Sequence, residues 1–520
     1  MLAQKNALIQ FRKTLYSFFP KRSDSIINLL DALSSHGHQA RSVVELSEAK
    51  RFERQYSSIT DAIADGLPEA DWNGIESFLF QELFDVSAGK PPCFLVDCTP
   101  NPRPFSRKLR DRTITHSPNP APTNKPICVG HAYSCVVLLP TDPIAHEKKW
   151  LIPLSMQRVP SEAKGNELGM QKILDHMTQF GLDDQLTVSV GDSLYGSENC
   201  RSKASSRDNL VHIFRVKNNR NIYSLPDTDT QPKGRGRKKE YGTVMSLSKT
   251  ETHRQPDAHC ETEWKARSGQ VYTVHIDSWE NMLFRGSKKF RSSKHPMTLL
   301  RVSIVDPDGN TLFKRPMWLA VTGKLRHQLN LLNIYHYYRS RYNIEHFFRF
   351  GKRKLLLDSY QTSELTHDEQ WWQLCLLAYT QLYMGRSLVV KQPKPWEKYL
   401  PSYRETSNTT ASIATASQTQ RGFSRLLDDI GTPARPCVPR GRNSGRKKGE
   451  SFGKKQEQPI IFKSRKNKKP EQKIIIKEIE NTSIFSNPLD INGLVRNTLA
   501  ALQKFNVTTT IFSQMLFNSG

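Results

Sequence analysis

Two apolar runs in this chain each end in an aspartate. CFLVD, Cys93 to Asp97, leads into the loop CTPNPRP, and QLTVSVGD reaches Asp192. Short apolar runs bounded by Pro and Gly read as buried strands. A carboxylate at the end of such a strand is costly to bury unless it is paired or holds a metal. Taken singly, either residue could equally cap the loop that follows, Asp97 before its Pro-rich turn and Asp192 as an Asx-turn in GDSLYG. Between them lie two more strand-like runs, ICVGHAYSCVVLLP and KKWLIPLSMQRV, and a helix, NELGMQKILDHMTQF, stopped by Gly181. The order is β-β-β-α-β, that of an α/β sheet with an acid at the tips of its first and fourth strands.

The remainder of the chain falls into blocks. Residues 1–88 read as helices, because FRKTLYSFF, SIINLLDALSS and WNGIESFLFQELFD repeat apolar residues at three and four positions. After Asp192, LVHIFRVKNNRNIYSLP reads as a strand dense in cations, followed by the basic loop KGRGRKK at 233–239. Alternating runs such as QVYTVHIDSW and PMWLAVTG, with a DPDG turn suited to a hairpin, mark a β-rich stretch up to 322. DEQWWQLCLLAYTQLYM reads as a core helix. From about 400 the composition turns to Ser, Thr, Pro, Arg and Lys, with 13 Lys/Arg against 2 Glu between 431 and 470. That composition predicts a basic, largely disordered tail, with one short amphipathic helix over 491–506.

A formal net charge of +26 points to a polyanionic partner, most simply nucleic acid. Arg215 and Arg220 in the cationic strand, and Arg235, Arg237 and Lys238 in the basic loop, are the candidate phosphate contacts. PRGRNSGRKKG at 439–449 has the composition of a minor-groove hook. The eight cysteines show no CxxC pair and no zinc spacing, which predicts reduced thiols in a cytoplasmic protein. The first residues, MLAQKNALIQFRKTLYSFF, carry charges where a signal peptide needs an uninterrupted apolar stretch. No run approaches the ~20 apolar residues of a membrane span, so no membrane partner is expected.

The segment YRSRYNIEHFFRFGKRK, Tyr338 to Lys354, holds a single acid, Glu345. Projected as one helix at about 100° per residue, Tyr338, Arg341, Glu345 and Lys352 share an arc of roughly 60°. Ile344, Phe347 and Phe348 fall on the core side, Arg349 lies close to the polar arc, and His346 points away. The plain reading is a solvated face with an Arg341–Glu345 pair at i, i+4, worth a few tenths of a kcal/mol.

The spacing Tyr338, two residues, Arg341, three residues, Glu345, six residues, Lys352 fits the Y-(2)-R-(3)-E-(6)-K signature without a gap. With LVDCTP around Asp97 and VGDSLYG around Asp192, the chain resembles, from about 90 to 390, the DDE transposases of bacterial insertion sequences of family four. The resemblance implies a ribonuclease-H-like catalytic core over 89–224 and 323–395, interrupted by a β-rich insertion over 225–322. A helical, DNA-binding N-terminal domain over 1–88 would precede it, and the basic tail over 396–520 would follow.

It further implies that Asp97, Asp192 and Glu345 are catalytic and hold two Mg²⁺ ions, with Mn²⁺ able to substitute. Tyr338, Arg341, Lys352 and Arg349 would contact DNA. The implied partners are transposon terminal inverted repeats and target DNA, bound by a homodimer associated with the bacterial nucleoid. An aromatic residue of the insertion, from among Trp264, Trp279 and Trp318, would stack on a flipped base. Cys98 departs from the pattern, standing where relatives often carry a further acid. The rival readings are a nuclease that cuts without joining and a decayed or domesticated DNA-binding protein.

Overall fold

The computed structural model describes residues 2–36, 40–116, 126–226, 239–266, 268–390, 413–438, 449 and 455–462. Four helices come first: α1 (Leu2–Ser17), α2 (Ser23–Ser35), α3 (Ser57–Asp61) and α4 (Trp72–Leu83). Then follow β1 (Cys93–Pro102), β2 (Thr113–His116), β3 (Ile127–Leu138), α5 (Pro143–Glu147), β4 (Ile152–Val159), α6 (Gly165–Gln179) and β5 (Thr187–Gly191). This is the β-β-β-α-β order read from periodicity, with β2 and α5 as short additions.

Next come α7 (Glu198–Ala204), β6 (Leu210–Val216), β7 (Asn221–Ser224), β8 (Val244–Ser246), β9 (Ala258–Lys265), β10 (Val271–Leu283), β11 (Met297–Val305) and β12 (Met317–Thr322). Four helices close the described chain: α8 (Leu331–Ser340), α9 (Tyr342–Lys354), α10 (Leu365–Val390) and α11 (Ala416–Ile430).

The first half of the sheet runs β4-β3-β1-β5-β6. Pairing is antiparallel from β4 to β3 to β1 and parallel from β1 to β5 to β6. This mixed arrangement is consistent with a ribonuclease-H-like core. The β-rich stretch does not stand apart from it: β12 pairs antiparallel with β6, and β11, β10, β7 and β8 extend the same sheet, with β9 on β10. The cationic run read as one strand is two, β6 and β7, because the chain turns through Lys217–Arg220.

α10 is apolar on all sides, and its buried residues include Trp371, Trp372, Leu376 and Tyr379. A helix with that surface has to lie in the core. Trp372 stacks on Tyr133 of β3 with ring centroids 4.0 Å apart. The N-terminal helices, read as a domain of their own, share this one core. Arg12 of α1 donates to both oxygens of Asp31 in α2 at 2.7 and 2.6 Å, and to the carbonyl of Gly431 at 2.7 Å. Arg12 and Asp31 are both buried, where an unpaired charge would be costly.

Part of the expected disordered tail is likewise core. α11 buries Phe423, Leu426 and Leu427, opens with a capping box between Thr415 and Gln418, and stops at Gly431, whose φ is +71°. The polar composition around this helix hides a narrow apolar stripe that closes over α2 and α10. Residues 455–461 lie along the loop after β1, where the Gln458 and Ile461 amides donate to the Arg107 and Arg112 carbonyls. The minor-groove-like tract and the helix expected over 491–506 lie outside the described residues, 449 apart.

Candidate active site

β1 and β5 run side by side in parallel, with Leu95 opposite Val190. Two residues further along both strands stand Asp97 and Asp192, so the register sets the two acids at the same level of adjacent strands. Glu345 reaches the same place from α9, and Arg341 joins it to β1. One Nη of Arg341 donates to Asp97 Oδ2 at 3.1 Å, the other to Glu345 Oε1 at 3.0 Å. Burial pushes the Asp97 carboxyl up to about 6, Asp192 and Glu345 add to the rise, and Arg341 and the Cys98 amide oppose it. Asp97 thus feels both other acids, and a single guanidinium bridges it to Glu345.

Carboxylates are hard oxygen donors of the kind that suits a divalent metal, and here Arg341 bridges two of them, Asp97 and Glu345. The two strand acids are held by their own backbones. The Cys98 amide donates to Asp97 Oδ1 at 2.8 Å and the Leu194 amide to Asp192 Oδ1 at 2.8 Å.

The segment Tyr338–Lys354 is two helices rather than one. α8 ends at Ser340, α9 begins at Tyr342, and Arg341 sits in the tight turn between them, its amide bonded to the Tyr338 carbonyl. Arg341 keeps helical dihedrals there and, rather than lying on a solvated face, is largely buried against Asp97. Lys352 also points inward, donating to the Pro100 carbonyl of β1 at 2.6 Å. Tyr338 is buried, with its ring beneath Arg341 at 6.0 Å. Arg349 is exposed.

Three residues that carried no signal in the sequence shape this corner. α6 crosses β1 closely because Gly165 and Gly169 have no side chains. A Cβ at Gly169 would fall 2.6 Å from Val96 and 2.7 Å from Ser134, and one at Gly165 would collide with the Cys98 sulfur. The third is Tyr195, buried behind Asp192 with its hydroxyl 3.7 Å from the Cys98 Sγ. A glycine pair four apart on a helix can signal close packing, but only the partner strand shows where.

Tyr195 is anchored by His212, which donates from Nε2 to its carbonyl at 3.2 Å and accepts from Ser189 Oγ at Nδ1, 2.9 Å away. Burial lowers His212 to about 4, and burial likewise lowers His36 and His146 to about 4. These folded-state values lie below the ordinary 6.5, so the unfolded chain takes up protons first. The stability the neutral rings contribute is complete above pH 6.5 and is lost as pH falls toward about 4. Asp97, Asp31 and His259, all raised, work in the opposite sense over part of that range, while His176, His295 and His336 are lowered like the first three. The thermal midpoint is therefore expected to drop across this range. His212→Gln, which cannot titrate, should flatten the drop; an unchanged slope in that variant would refute the assignment.

Arg215 on β6 and Arg220 in the turn beyond it are exposed and line a cavity of about 550 Å³, together with Lys217, Arg285, Tyr223 and Phe284. The cavity begins at Ser193, next to Asp192. Arg235, Arg237 and Lys238 lie outside the described residues. Of the three insertion tryptophans, Trp279 and Trp318 are 1% exposed and bonded to the Arg254 carbonyl and the Asn218 side chain, which fixes them as core. Trp264 is half-buried on β9, stacked on Tyr272, with the Arg339 guanidinium 5.0 Å from its ring.

All eight cysteines are free thiols. Among the described residues no helix is long and apolar enough to cross a membrane. No curated protein matches the chain. The family model described as DDE superfamily endonuclease matches residues 14–277, a span that holds α2 to α7, Asp97 and Asp192 and ends before Glu345. Endonucleases of this type act on DNA and generally use divalent metal ions. A match over half of the chain, which takes in Asp97 within β1 and Asp192 just after β5, places this protein in the DDE superfamily endonuclease family.

Proposed function

We propose that the protein is a DNA transposase in which Asp97, Asp192 and Glu345 form the metal-binding catalytic set. The observation that carries this reading is the convergence of β1, β5 and α9, with Arg341 bridging Asp97 to Glu345. The Y-(2)-R-(3)-E-(6)-K spacing from Tyr338 to Lys352 points to the insertion-sequence type, which binds the terminal inverted repeats of its own element as a homodimer. When bound, two Mg²⁺ ions, or Mn²⁺, supply the positive charge that activates water and stabilises the leaving oxygen of a phosphodiester.

The chain's own residues do the rest. Asp97, Asp192 and Glu345 hold the cations, and Arg341 balances their charge in the metal-free protein. Arg215, Lys217, Arg220 and Arg285 hold backbone phosphates beside Asp192. The 3′-hydroxyl freed when water cleaves an element end would then attack a phosphodiester of a second DNA, giving up its proton as the target's P–O3′ bond breaks and the target's 3′-oxygen leaves as a hydroxyl. The helices over 1–88 and the basic stretch beyond 430 add further DNA contacts.

The matched family's description supports a second reading, an endonuclease that cuts without joining. Incubating labelled element ends, Mg²⁺ and supercoiled target DNA distinguishes the two. Joined products support transposition, nicks alone leave the nuclease, and neither outcome with intact DNA binding would overturn both.

The cavity cations are expected to position DNA without reading bases, since phosphate contacts carry no sequence information. Arg215→Ala with Arg220→Ala should weaken end DNA and unrelated DNA by similar factors. The slope of log K against log salt should fall by about 2, since each phosphate contact contributes about 0.9. A loss confined to end DNA would show base readout instead.

A further inference from the structure

A second group of metal donors stands on the sheet, away from the carboxylate site. In the antiparallel pair β9–β10, Glu261 lies opposite His275 and His259 opposite Asp277, so the four side chains share one face. Trp264 projects from the other face of β9, toward Arg339 of α8. Three donor atoms converge: Glu261 Oε1 is 3.1 Å from His259 Nε2 and 2.8 Å from His275 Nδ1. All three lie within 4.8 Å of one another.

The group has an orienting layer as well. His259 donates its other nitrogen, Nδ1, to Asp277 Oδ1 at 2.8 Å. Asp277 is 8% exposed, and its Oδ2 accepts from Arg301 Nε at 2.9 Å and Nη2 at 2.8 Å. A carboxylate on the far nitrogen of an imidazole fixes the ring and raises its basicity as a ligand, the arrangement found behind metal-bound histidines. Arg301 in turn sets Asp277 and neutralises it, leaving Glu261 as the anionic ligand.

We propose that His259 Nε2, Glu261 and His275 Nδ1 form a binding site for a borderline divalent ion of the Zn²⁺ class, oriented by Asp277 and Arg301. Bonds of about 2.0–2.1 Å in tetrahedral geometry set ligand atoms roughly 3.3 Å apart. The present separations of 3.1 and 2.8 Å are those of proton-bridged pairs and need to open by only a few tenths of an ångström. The side chains can move that far, because His259 and Glu261 are exposed and His275 is half-buried on a fixed strand pair. Two imidazoles favour zinc, nickel or copper over Mg²⁺, which prefers oxygen, so this site and the carboxylate set select different ions. Three protein ligands leave the fourth position open, and the bound ion ties β9 to β10.

The test uses the full chain, stripped by a chelator and titrated calorimetrically with Zn²⁺ in excess Mg²⁺. One Zn²⁺ per chain with micromolar or tighter affinity is expected, unchanged in Glu345→Gln. His275→Gln and Glu261→Gln should each weaken binding at least tenfold. Asp277→Asn should weaken it by about 10–100-fold with the stoichiometry kept. Zn²⁺ should raise the thermal midpoint of the wild type and not that of His259→Gln/His275→Gln, since only a ligand of the folded state stabilises it. Should Asp277→Asn fail to fold, the exposed histidine variants carry the test alone. Absence of Zn²⁺ binding by the wild type, or equal binding by the double histidine variant, overturns the proposal.

Discussion

Glu345→Gln is expected to reduce metal-dependent strand cleavage by about a thousandfold or more, equivalent to at least about 4 kcal/mol of lost transition-state stabilisation. The substitution keeps shape and removes one ligand charge from the set that Asp97 and Asp192 complete. Folding should hardly change. The Glu345 side chain is 39% exposed and its one ion pair is with Arg341, so its net contribution to stability is about 0–1 kcal/mol. DNA affinity should be kept or rise, since a negative charge leaves the phosphate path.

Arg341→Ala gives the contrasting result. It removes the guanidinium that bridges Asp97 and Glu345, so divalent binding should tighten severalfold while correct placement of DNA suffers. A solvated surface pair predicts neither effect, only a few tenths of a kcal/mol. Nicking of a labelled end, Mn²⁺ titration and the thermal midpoint, measured on both variants, separate these cases. Wild-type cleavage by Glu345→Gln would end the three-carboxylate reading.

The second large effect is structural. Asp368, at the start of α10, has no solvent exposure and accepts from Asn101 at 2.9 Å, Tyr133 at 2.7 Å and Arg103 at 3.0 Å. Burial pushes its carboxyl up, but the His131, Arg103 and Tyr133 partners outweigh burial and hold it below the ordinary carboxylate value. Asp368→Ala strands the Arg103 guanidinium in the interior and should cost about 3–5 kcal/mol. Arg103 also donates to the Asp358 and Tyr360 carbonyls, so the loss should loosen the end of the strand that carries Asp97.

Replacing both charges by apolar residues, as in Arg103→Met with Asp368→Leu, should be less harmful than Asp368→Ala alone, because no charge is left unpaired. Denaturant midpoints of the three proteins decide it. A loss below about 0.5 kcal/mol in Asp368→Ala, in the range of an ordinary surface substitution, would show that the network is dispensable.

The elements of this site are written in short-range patterns. CFLV and TVSV are apolar runs of strand length, each followed by its acid, and the apolar face of α9 repeats Ile344, Phe347 and Phe348 at helical spacing. Such periodicity reflects which side of a segment meets the core, so it survives without knowledge of the partner. The same logic failed where the partner decides. α11 looks like tail because its stripe is narrow and its flanks are polar, yet Phe423 is fully buried. Trp279 had no spacing to separate it from Trp264, and only the strand order β12-β11-β10 puts it inside with Trp318.

By itself, then, the sequence determined the β-β-β-α-β order, the residue types at the strand ends and the cationic character of the surface. What surrounds each acid was decided by tertiary structure. The parallel register of β1 with β5 levels Asp97 with Asp192, and the packing of Phe347 and Phe350 on Tyr379 of α10 seats the helix of Glu345. The Arg341 contact to Asp97 spans 244 positions of sequence. It exists because α9 packs against β1, where the carboxylates of Asp97 and Glu345 draw one guanidinium between them. Periodicity carries no record of that, since it describes each segment's own faces and not the distances between segments.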